Sequence, residues 1–107
     1  MLSETEIHGI VDRIVRNCDP EVVGLFGSYA IGTATDRSDL DVFVIQRTGE
    51  RRSERVRRLQ GLLLGILHPV DVQVFTPEEF EAESQEEHSF TYTVARQAKI
   101  LYRKEAP

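Results

Sequence analysis

Apolar positions at helical spacing dominate the first segment of the chain. Those that share one helical face are Ile7, Ile10, Val11, Ile14 and Val15. Ser3, with Glu6 three residues later, is the pattern of a capping box and places the helix start at Glu4. Pro20 cannot continue a helix. We therefore predict a first helix from Glu4 to Asn17.

Three apolar runs predict strands. The first, VVGLF, ends in Gly27 and Ser28, and the YAIG that follows predicts a brief helix with Ser28 as its N-cap. The runs DLDVFVIQ and VDVQVF alternate, which predicts half-buried strands. Their apolar faces carry Leu40, Val42 and Val44 in one run and Val70, Val72 and Val74 in the other. Their opposite faces carry Asp39, Asp41 and Phe43, and Asp71, Gln73 and Phe75, respectively.

Helical spacing returns in the segment ERRSERVRRLQGLLLGIL. Its apolar positions are Val56, Leu59, Leu63 and Ile66, and the arginines opposite them are Arg51, Arg55 and Arg58. We expect these arginines to form a solvated face, with phosphate or partner binding as the alternative. Gly61 and Gly65 predict close packing against a neighbouring element.

Helix start signals recur after the third strand. Thr76, Pro77 and Glu79 supply an N-cap, a proline at the first helical position and a capping-box partner. The segment HSFTYTVARQA fits a helix or a strand, and we favour a helix because KILYR after it suits an edge strand. The order of elements predicts one α/β domain over residues 1–107, of the α+β kind. We expect a mixed β-sheet of about four strands with helices packed on it.

Composition narrows the class of protein. The chain of 107 residues carries a formal charge of −5, which argues against broad binding to nucleic-acid backbones. Cys18 is the only cysteine, so no internal disulfide can form, and we expect a buried, unreactive thiol. His8, His68 and His88 lack metal-ligand spacing, and we expect structural or surface roles for them. With neither a signal-peptide pattern nor a long apolar run, we expect a cytoplasmic protein without a membrane span.

Five residues indicate a chemical site. Asp39 and Asp41 leave the same face of one predicted strand, and Asp71 lies between two valines on the next. An isolated Asp-x-Asp usually faces water at a strand start, but a third carboxylate inside a strand weakens that strand and needs a reason. Carboxylates suit Mg²⁺ or Mn²⁺, and the turn at Gly27 and Ser28 offers N–H groups and a hydroxyl to phosphate. Together they predict a site for a metal-bound nucleoside triphosphate.

The spacing of these residues resembles a known signature. The pair GS, ten residues and then DLD is similar to the GSx10DxD motif of the DNA polymerase β nucleotidyltransferase superfamily. The segment GSYAIGTATDRSDLDVFV and the late ILYR resemble its minimal nucleotidyltransferases, which consist of little beyond the catalytic core. The resemblance implies nucleotidyl transfer from ATP with two metal ions. It implies that Asp39 and Asp41 ligate the metal ions. It implies that Asp71 completes the ligands of the metal ion on the nucleophile side and helps to take the proton of the acceptor hydroxyl. It further implies that Gly27 and Ser28 hold the β and γ phosphates.

One position departs from the family pattern. Where the family commonly has a basic residue, as in GSxARG, this chain has Ile31. Nucleotide affinity or turnover is therefore expected to be lower, unless Arg37 or another basic residue substitutes.

The resemblance leaves three functions open. A minimal nucleotidyltransferase and a HEPN protein together resemble a toxin–antitoxin system in which the nucleotidyltransferase adenylylates its partner. The first function is therefore transfer of AMP from ATP to a tyrosine of a HEPN-type toxin. The second is an antitoxin that neutralises its partner by contact alone. The third is transfer to a small molecule such as an aminoglycoside, with a cleft between two copies as the acceptor pocket. A homodimer or a hetero-oligomer is compatible with all three.

Overall fold

Helices and strands follow one another in the predicted order. The computed structural model describes residues 1–105, so residues 106 and 107 of the predicted domain lie outside the described residues. The helices are α1 (Glu4–Cys18), α2 (Ser28–Ile31), α3 (Arg52–Leu62), α4 (Pro77–Ser84) and α5 (Phe90–Gln97). The strands are β1 (Val22–Phe26), β2 (Leu40–Ile45), β3 (Val70–Phe75) and β4 (Lys99–Arg103).

The four described strands form one mixed sheet in the order β3-β2-β1-β4. β1 runs antiparallel to both β2 and β4, whereas β2 and β3 are parallel and are joined through α3. β4 is an edge strand, as KILYR predicted. The expected α+β domain with a mixed four-stranded sheet is confirmed.

One face of the sheet carries the larger core. Strand residues Val23, Leu25, Leu40, Val42, Val44, Val72 and Val74 are buried there with Ile7, Ile10, Val11 and Ile14 of α1 and with Leu59 and Leu63. The alternation in the sequence therefore predicted this face correctly. Burial of these side chains, at about 25 cal/mol per Å² of apolar surface, is the main force that holds α1 and α3 on the sheet.

The opposite face is also covered, so the prediction that β2 is only half-buried is wrong. Phe43 is fully buried and stacks on Phe80 of α4, with ring centroids 5.6 Å apart. Gly24 of β1 makes room for it, because a Cβ there would come within 2.6 Å of the Phe43 ring. The other buried members of this second cluster are Val22, Phe26, Phe75 and Val94. The aromatic residues of the polar face thus pack beneath α4 and α5.

The capping signals fix the helix starts. Both predicted capping boxes form, at Ser3 with Glu6 and at Thr76 with Glu79. α1 ends one residue later than predicted, at Cys18, where Asp19 adopts a left-handed conformation with φ 46°.

The predicted solvated face of α3 holds for Arg51 and Arg58 but is wrong for Arg55, and the predicted role of the two glycines is also wrong. Arg55 is 8 % exposed rather than solvated, because its guanidinium donates to Glu79 of α4 at 2.6 Å and to the Glu50 carbonyl at 2.8 Å. Gly61 and Gly65 do not serve close packing, since a Cβ at either position would meet no atom within 4 Å. Gly65 instead has φ +94°, in the connection that follows the helix.

The single thiol is only half-buried but is unreactive in character. Cys18 is a free cysteine, and burial raises the pKa of its thiol, while the nearby charge of Arg58 acts in the opposite direction. A raised pKa keeps the thiol protonated and a poor nucleophile. Across residues 1–105, no helix is long and apolar enough to cross a membrane.

Arginines of α3 attach α4 through an ionic network. Arg52 bonds Glu83 at 2.6 Å and lies over the Phe75 ring at 5.4 Å, while Arg55 bonds Glu79. Burial tends to raise the pKa of Glu79, but hydrogen bonds from Arg55, the Thr76 backbone and Arg52 outweigh it and lower the pKa to about 2. The folded structure is therefore stabilised by the ionised form of the Glu79 carboxylate.

We predict that Glu79→Gln lowers the free energy of unfolding by about 1 to 3 kcal/mol at pH 7. Glutamine preserves the capping box, so the loss reports the charge. Because the pKa is depressed from 4.5 to about 2, the stabilisation is present above pH 4.5 and is lost as the pH falls towards 2. Urea unfolding of both proteins at several pH values checks this.

Glu78→Gln is the matched control, because Glu78 is exposed and lies 3.4 Å from Arg47 in a surface pair. It should change stability by less than about 0.5 kcal/mol. A Glu79→Gln deficit that stays constant from pH 7 down to pH 2.5 would contradict the ionic role.

Candidate functional site

The predicted site residues gather at one end of the sheet. β1 ends there at Phe26, and β2 and β3 begin there. Asp41 of β2 pairs with Phe26 on one side and with Asp71 of β3 on the other. Gly27 directly follows Phe26. The strand register therefore brings the turn and two of the carboxylates together.

The register also decides on which face the carboxylates lie. In a parallel pair, residues at matched positions point to the same side of the sheet, so Asp41 and Asp71 are neighbours. Asp39 is exposed and directly precedes β2. The Leu40 N–H donates to the Pro69 carbonyl at 3.0 Å, which fixes where the two strands start relative to each other.

Asp41 lies in an unfavourable electrostatic environment. It is half-buried, whereas Asp39 and Asp71 are exposed. Burial raises the pKa of Asp41 above its ordinary value of 3.8, and the carboxylates of Asp71 and Asp39 raise it further. Both neighbours are thus within electrostatic range of Asp41.

These donors fit a hard divalent cation in chemistry and in backbone placement. All three are carboxylates, which Mg²⁺ and Mn²⁺ prefer, and they lie at one end of one face. Within residues 1–105, no three His, Cys, Asp or Glu side chains converge where one ion could be held. Because like charges repel, the carboxylates would have to rotate towards a shared cation. The ligand set Asp39, Asp41 and Asp71 stays a prediction.

The turn after β1 depends on glycine. Gly27 has φ 68° and ψ −154°, a conformation that is essentially restricted to glycine. A Cβ there would also collide with Oδ2 of Asp41, so the missing side chain lets that carboxylate lie against the turn. The prediction that Ser28 caps α2 is wrong. Gly27 is the N-cap, because the sharp exit from β1 needs its positive φ, and its carbonyl accepts from Ala30 at 3.0 Å and Ile31 at 3.2 Å.

The start of α2 presents donors to the site. Ser28 and Tyr29 are its first residues, and the first amides of a helix have no partner within it. In the described part of the chain, no backbone carbonyl outside α2 accepts from these two amides. Amides and a hydroxyl in this arrangement suit a phosphate oxygen. The phosphate role of Gly27 and Ser28 stays a prediction.

Sequence reasoning missed Gln97 of α5. Its side-chain oxygen Oε1 accepts the Gly27 N–H at 3.0 Å. No local pattern predicts this contact, because the two residues are 70 positions apart and meet only when α5 packs against β1. His68 has a structural role, as predicted, since its Nε2 lies 3.0 Å from the Ser38 carbonyl.

A cleft of about 580 Å³ lies elsewhere, between α1 and the segment after α3. Residues that line it include Leu2, Ile10, Arg13, Ile66 and His68. None of the five predicted site residues contributes to it. The candidate site therefore lies outside this cleft, and of its residues Asp39 and Asp71 are exposed.

Comparison with known proteins assigns this architecture to a class. The family model described as "Nucleotidyltransferase domain" matches residues 6–100. The chain therefore belongs to the nucleotidyltransferase domain family, which confirms the resemblance seen in the sequence.

One curated relative is the Methanocaldococcus jannaschii protein named "Putative protein adenylyltransferase". It is 29% identical over 80 residues, which cover 68% of this chain and 54% of the relative. The chain thus spans about half the length of that protein.

Solved structures share the fold. A "putative nucleotidyltransferase" from Sulfolobus solfataricus has a TM-score of 0.65 at 19% identity, covering 92% of this chain and 78% of that chain. A mutant of the toxin-antitoxin MntA-HpeT has a TM-score of 0.61 at 22% identity, covering 98% and 76%. A toxin-antitoxin with AMP-PNP has a TM-score of 0.52 at 22% identity, covering 91% and 73%.

We predict that Gly27→Ala destabilises the protein by more than about 2 kcal/mol, because it adds a collision with Asp41 to backbone strain. Gly32→Ala is the matched control. Gly32 also has a positive φ, +83°, but a Cβ there would meet nothing within 4 Å. That variant should cost about 1 to 2 kcal/mol. Denaturant unfolding measures both, and equal losses would show that the Asp41 contact contributes nothing.

We predict that Asp41→Asn raises the free energy of unfolding by about 0.2 to 1 kcal/mol at pH 7 without divalent cations. The pKa of Asp41 is raised, so the native state binds its proton more tightly than the unfolded chain does. Stability therefore falls as the pH rises through the pKa, and asparagine removes that loss. Asp12→Asn, an exposed change on α1 with the same effect on net charge, is the control. A destabilised Asp41→Asn variant would argue against the repulsive cluster.

Proposed function

We propose that this chain transfers AMP from ATP to a tyrosine hydroxyl of a HEPN-type toxin and thereby acts as its antitoxin. The observation that carries the chemistry is the pairing of Asp41 with Asp71 beside the Gly27 turn. The name of the archaeal relative supports a protein acceptor. The toxin-antitoxin neighbours support a protein partner, and the one with AMP-PNP supports an adenine nucleotide.

Each site residue has a defined part in this reaction. Ser28 and the first amides of α2 hold the β and γ phosphates, and Asp71 receives the proton of the acceptor hydroxyl. The acceptor oxygen forms a bond to the α-phosphorus while the α–β bridging bond breaks, so pyrophosphate leaves. Asp39, Asp41 and Asp71 would hold two Mg²⁺ or Mn²⁺ ions, which when bound stabilise charge on the entering and leaving oxygens.

The exposure of the site supports a macromolecular acceptor. Asp39 and Asp71 are exposed, and the cleft of about 580 Å³ is lined by other residues. A small-molecule acceptor, besides the nucleotide, would need its own concave pocket beside the carboxylates, and the cleft of about 580 Å³ does not supply one there. An open end of a sheet instead suits a side chain that a folded partner presents.

A second function, neutralisation by contact alone, is favoured by Ile31. This side chain is 54% exposed on α2 and brings no charge to the triphosphate. Arg37 is exposed and lies two residues before Asp39, which makes it the candidate to supply the missing charge.

We predict that the purified chain transfers label from α-labelled ATP to a purified HEPN-type partner, and that EDTA abolishes the transfer. Asp41→Asn or Asp71→Asn should lower the rate of transfer at least about a hundredfold, because each substitution removes a metal ligand. Asp71→Asn also removes the base that receives the acceptor's proton. Asp12→Asn should keep the rate of the unaltered chain. Phosphorimaging of the separated proteins measures the label.

Neutralisation of the toxin in cells separates the two functions. If the variant with Asp39, Asp41 and Asp71 all changed to Asn still protects, contact alone is sufficient. If the unaltered chain binds ATP but labels no partner, protein adenylylation is excluded.

A further inference from the structure

Helix α5 borders the candidate site. Phe90 and Gln97 lie seven positions apart, two helical turns, and therefore share one face of this helix. They contact consecutive residues at the end of β1: Phe90 packs on Phe26, and Gln97 accepts from Gly27. The same face of α5 thus contacts both Gly27 of the turn and Phe26, the residue before it.

Phe90 is an exposed aromatic residue at this border. Its side chain is 54% exposed, while Phe26 beneath it is 6% exposed. The two ring centroids are 5.6 Å apart and the rings are nearly perpendicular, at 86°. Single exposed apolar side chains are ordinary, and Leu64 and Leu67 are examples in the connection after α3. Phe90 differs from these two because it lies against the end of β1.

Phe90 lies on the same side of the sheet as the carboxylate of Asp41. Phe26 pairs with Asp41, and the side chains of such a pair lie on the same face of the sheet. Phe26 therefore lies between Phe90, which packs on its ring, and Asp41, which pairs with it across the strands. In a nucleoside triphosphate the ribose likewise separates the base from the α-phosphate.

We propose that Phe90 is the stacking platform for the base of the bound nucleoside triphosphate. This inference rests on the proposed function, because it takes the phosphates to lie at the Gly27 turn. Every nucleobase has a π-face, so stacking alone discriminates little between bases. Phe90 then supplies affinity for the nucleoside, and ATP and GTP gain similarly from it.

Calorimetric titration of the full chain with Mg²⁺–ATP and with Mg²⁺–tripolyphosphate tests this. Phe90→Ala should weaken ATP binding about tenfold or more, in the range measured for base–aromatic stacking. It should leave tripolyphosphate binding within about twofold, because that ligand has no base. Phe90→Trp should restore ATP affinity, and Phe90→Leu should not, although leucine keeps apolar contact with Phe26. Leu64→Ala is the control for loss of an exposed apolar side chain.

Each outcome has one meaning. If leucine restores ATP affinity as well as tryptophan does, Phe90 only packs, and the platform is excluded. If Phe90→Ala lowers the affinity for ATP and for tripolyphosphate equally, the substitution distorts the Gly27 turn, and the platform is excluded. Thermal melting of each variant identifies any that is unfolded. If the unaltered chain binds both ligands and Phe90→Ala changes neither, only this inference fails. If the unaltered chain binds neither ligand, the proposed function fails and the platform with it.

Discussion

The parallel pairing of β2 with β3 constrains the rest of the structure. Leu40, Val42 and Val44 lie opposite Val70, Val72 and Val74, and this ladder builds the larger core. A slip of one residue in either strand would turn its valines to the other face and a carboxylate towards the core. Burial of an unpaired carboxylate costs several kcal/mol, so the core itself enforces the register. The juxtaposition of Asp41 and Asp71 follows from the packing of the apolar residues on the other face of the sheet.

The acidic side chains of this protein fall into two contrasting environments. Glu79 and Glu83 bond arginines of α3, and their pKa values are lowered. At the end of the sheet, burial and neighbouring carboxylates raise the pKa of Asp41. The first arrangement stabilises the fold, and the second weakens it. Like charges in one place do not stabilise a fold, and groups with pKa values shifted in this way are frequent at functional sites.

Local patterns in the sequence were sufficient for most of the fold. The capping boxes at Ser3 and Thr76 and the alternation in β2 and β3 are short-range signals, and each was found where it was expected. Contacts between distant segments were not predictable. In the sequence, Arg55 has the pattern of a surface residue, but in the structure α4 places Glu79 beside it. Phe43 alternates with the carboxylates of β2, but in the structure α4 covers it.

The candidate site shows the same division. Its carboxylates and its glycine were visible as a spaced motif, because they lie within or beside neighbouring strands. Ser28 was misread as a cap, since a serine after a strand is a common cap and the positive φ of Gly27 is not visible in the sequence. Gln97 carried no signal, because its contact with Gly27 exists only in three dimensions.

The hydrogen bond between Gln97 and Gly27 joins segments that are synthesised at different times. The ribosome releases β1, the turn and the acidic strands first, and α5 and β4 emerge later, although β4 pairs with β1. A nascent polypeptide therefore exposes the Gly27 turn without Gln97 to hold its N–H. The Gly27 turn should accordingly gain its native hydrogen bond only after α5 and β4 have been released and have packed against β1.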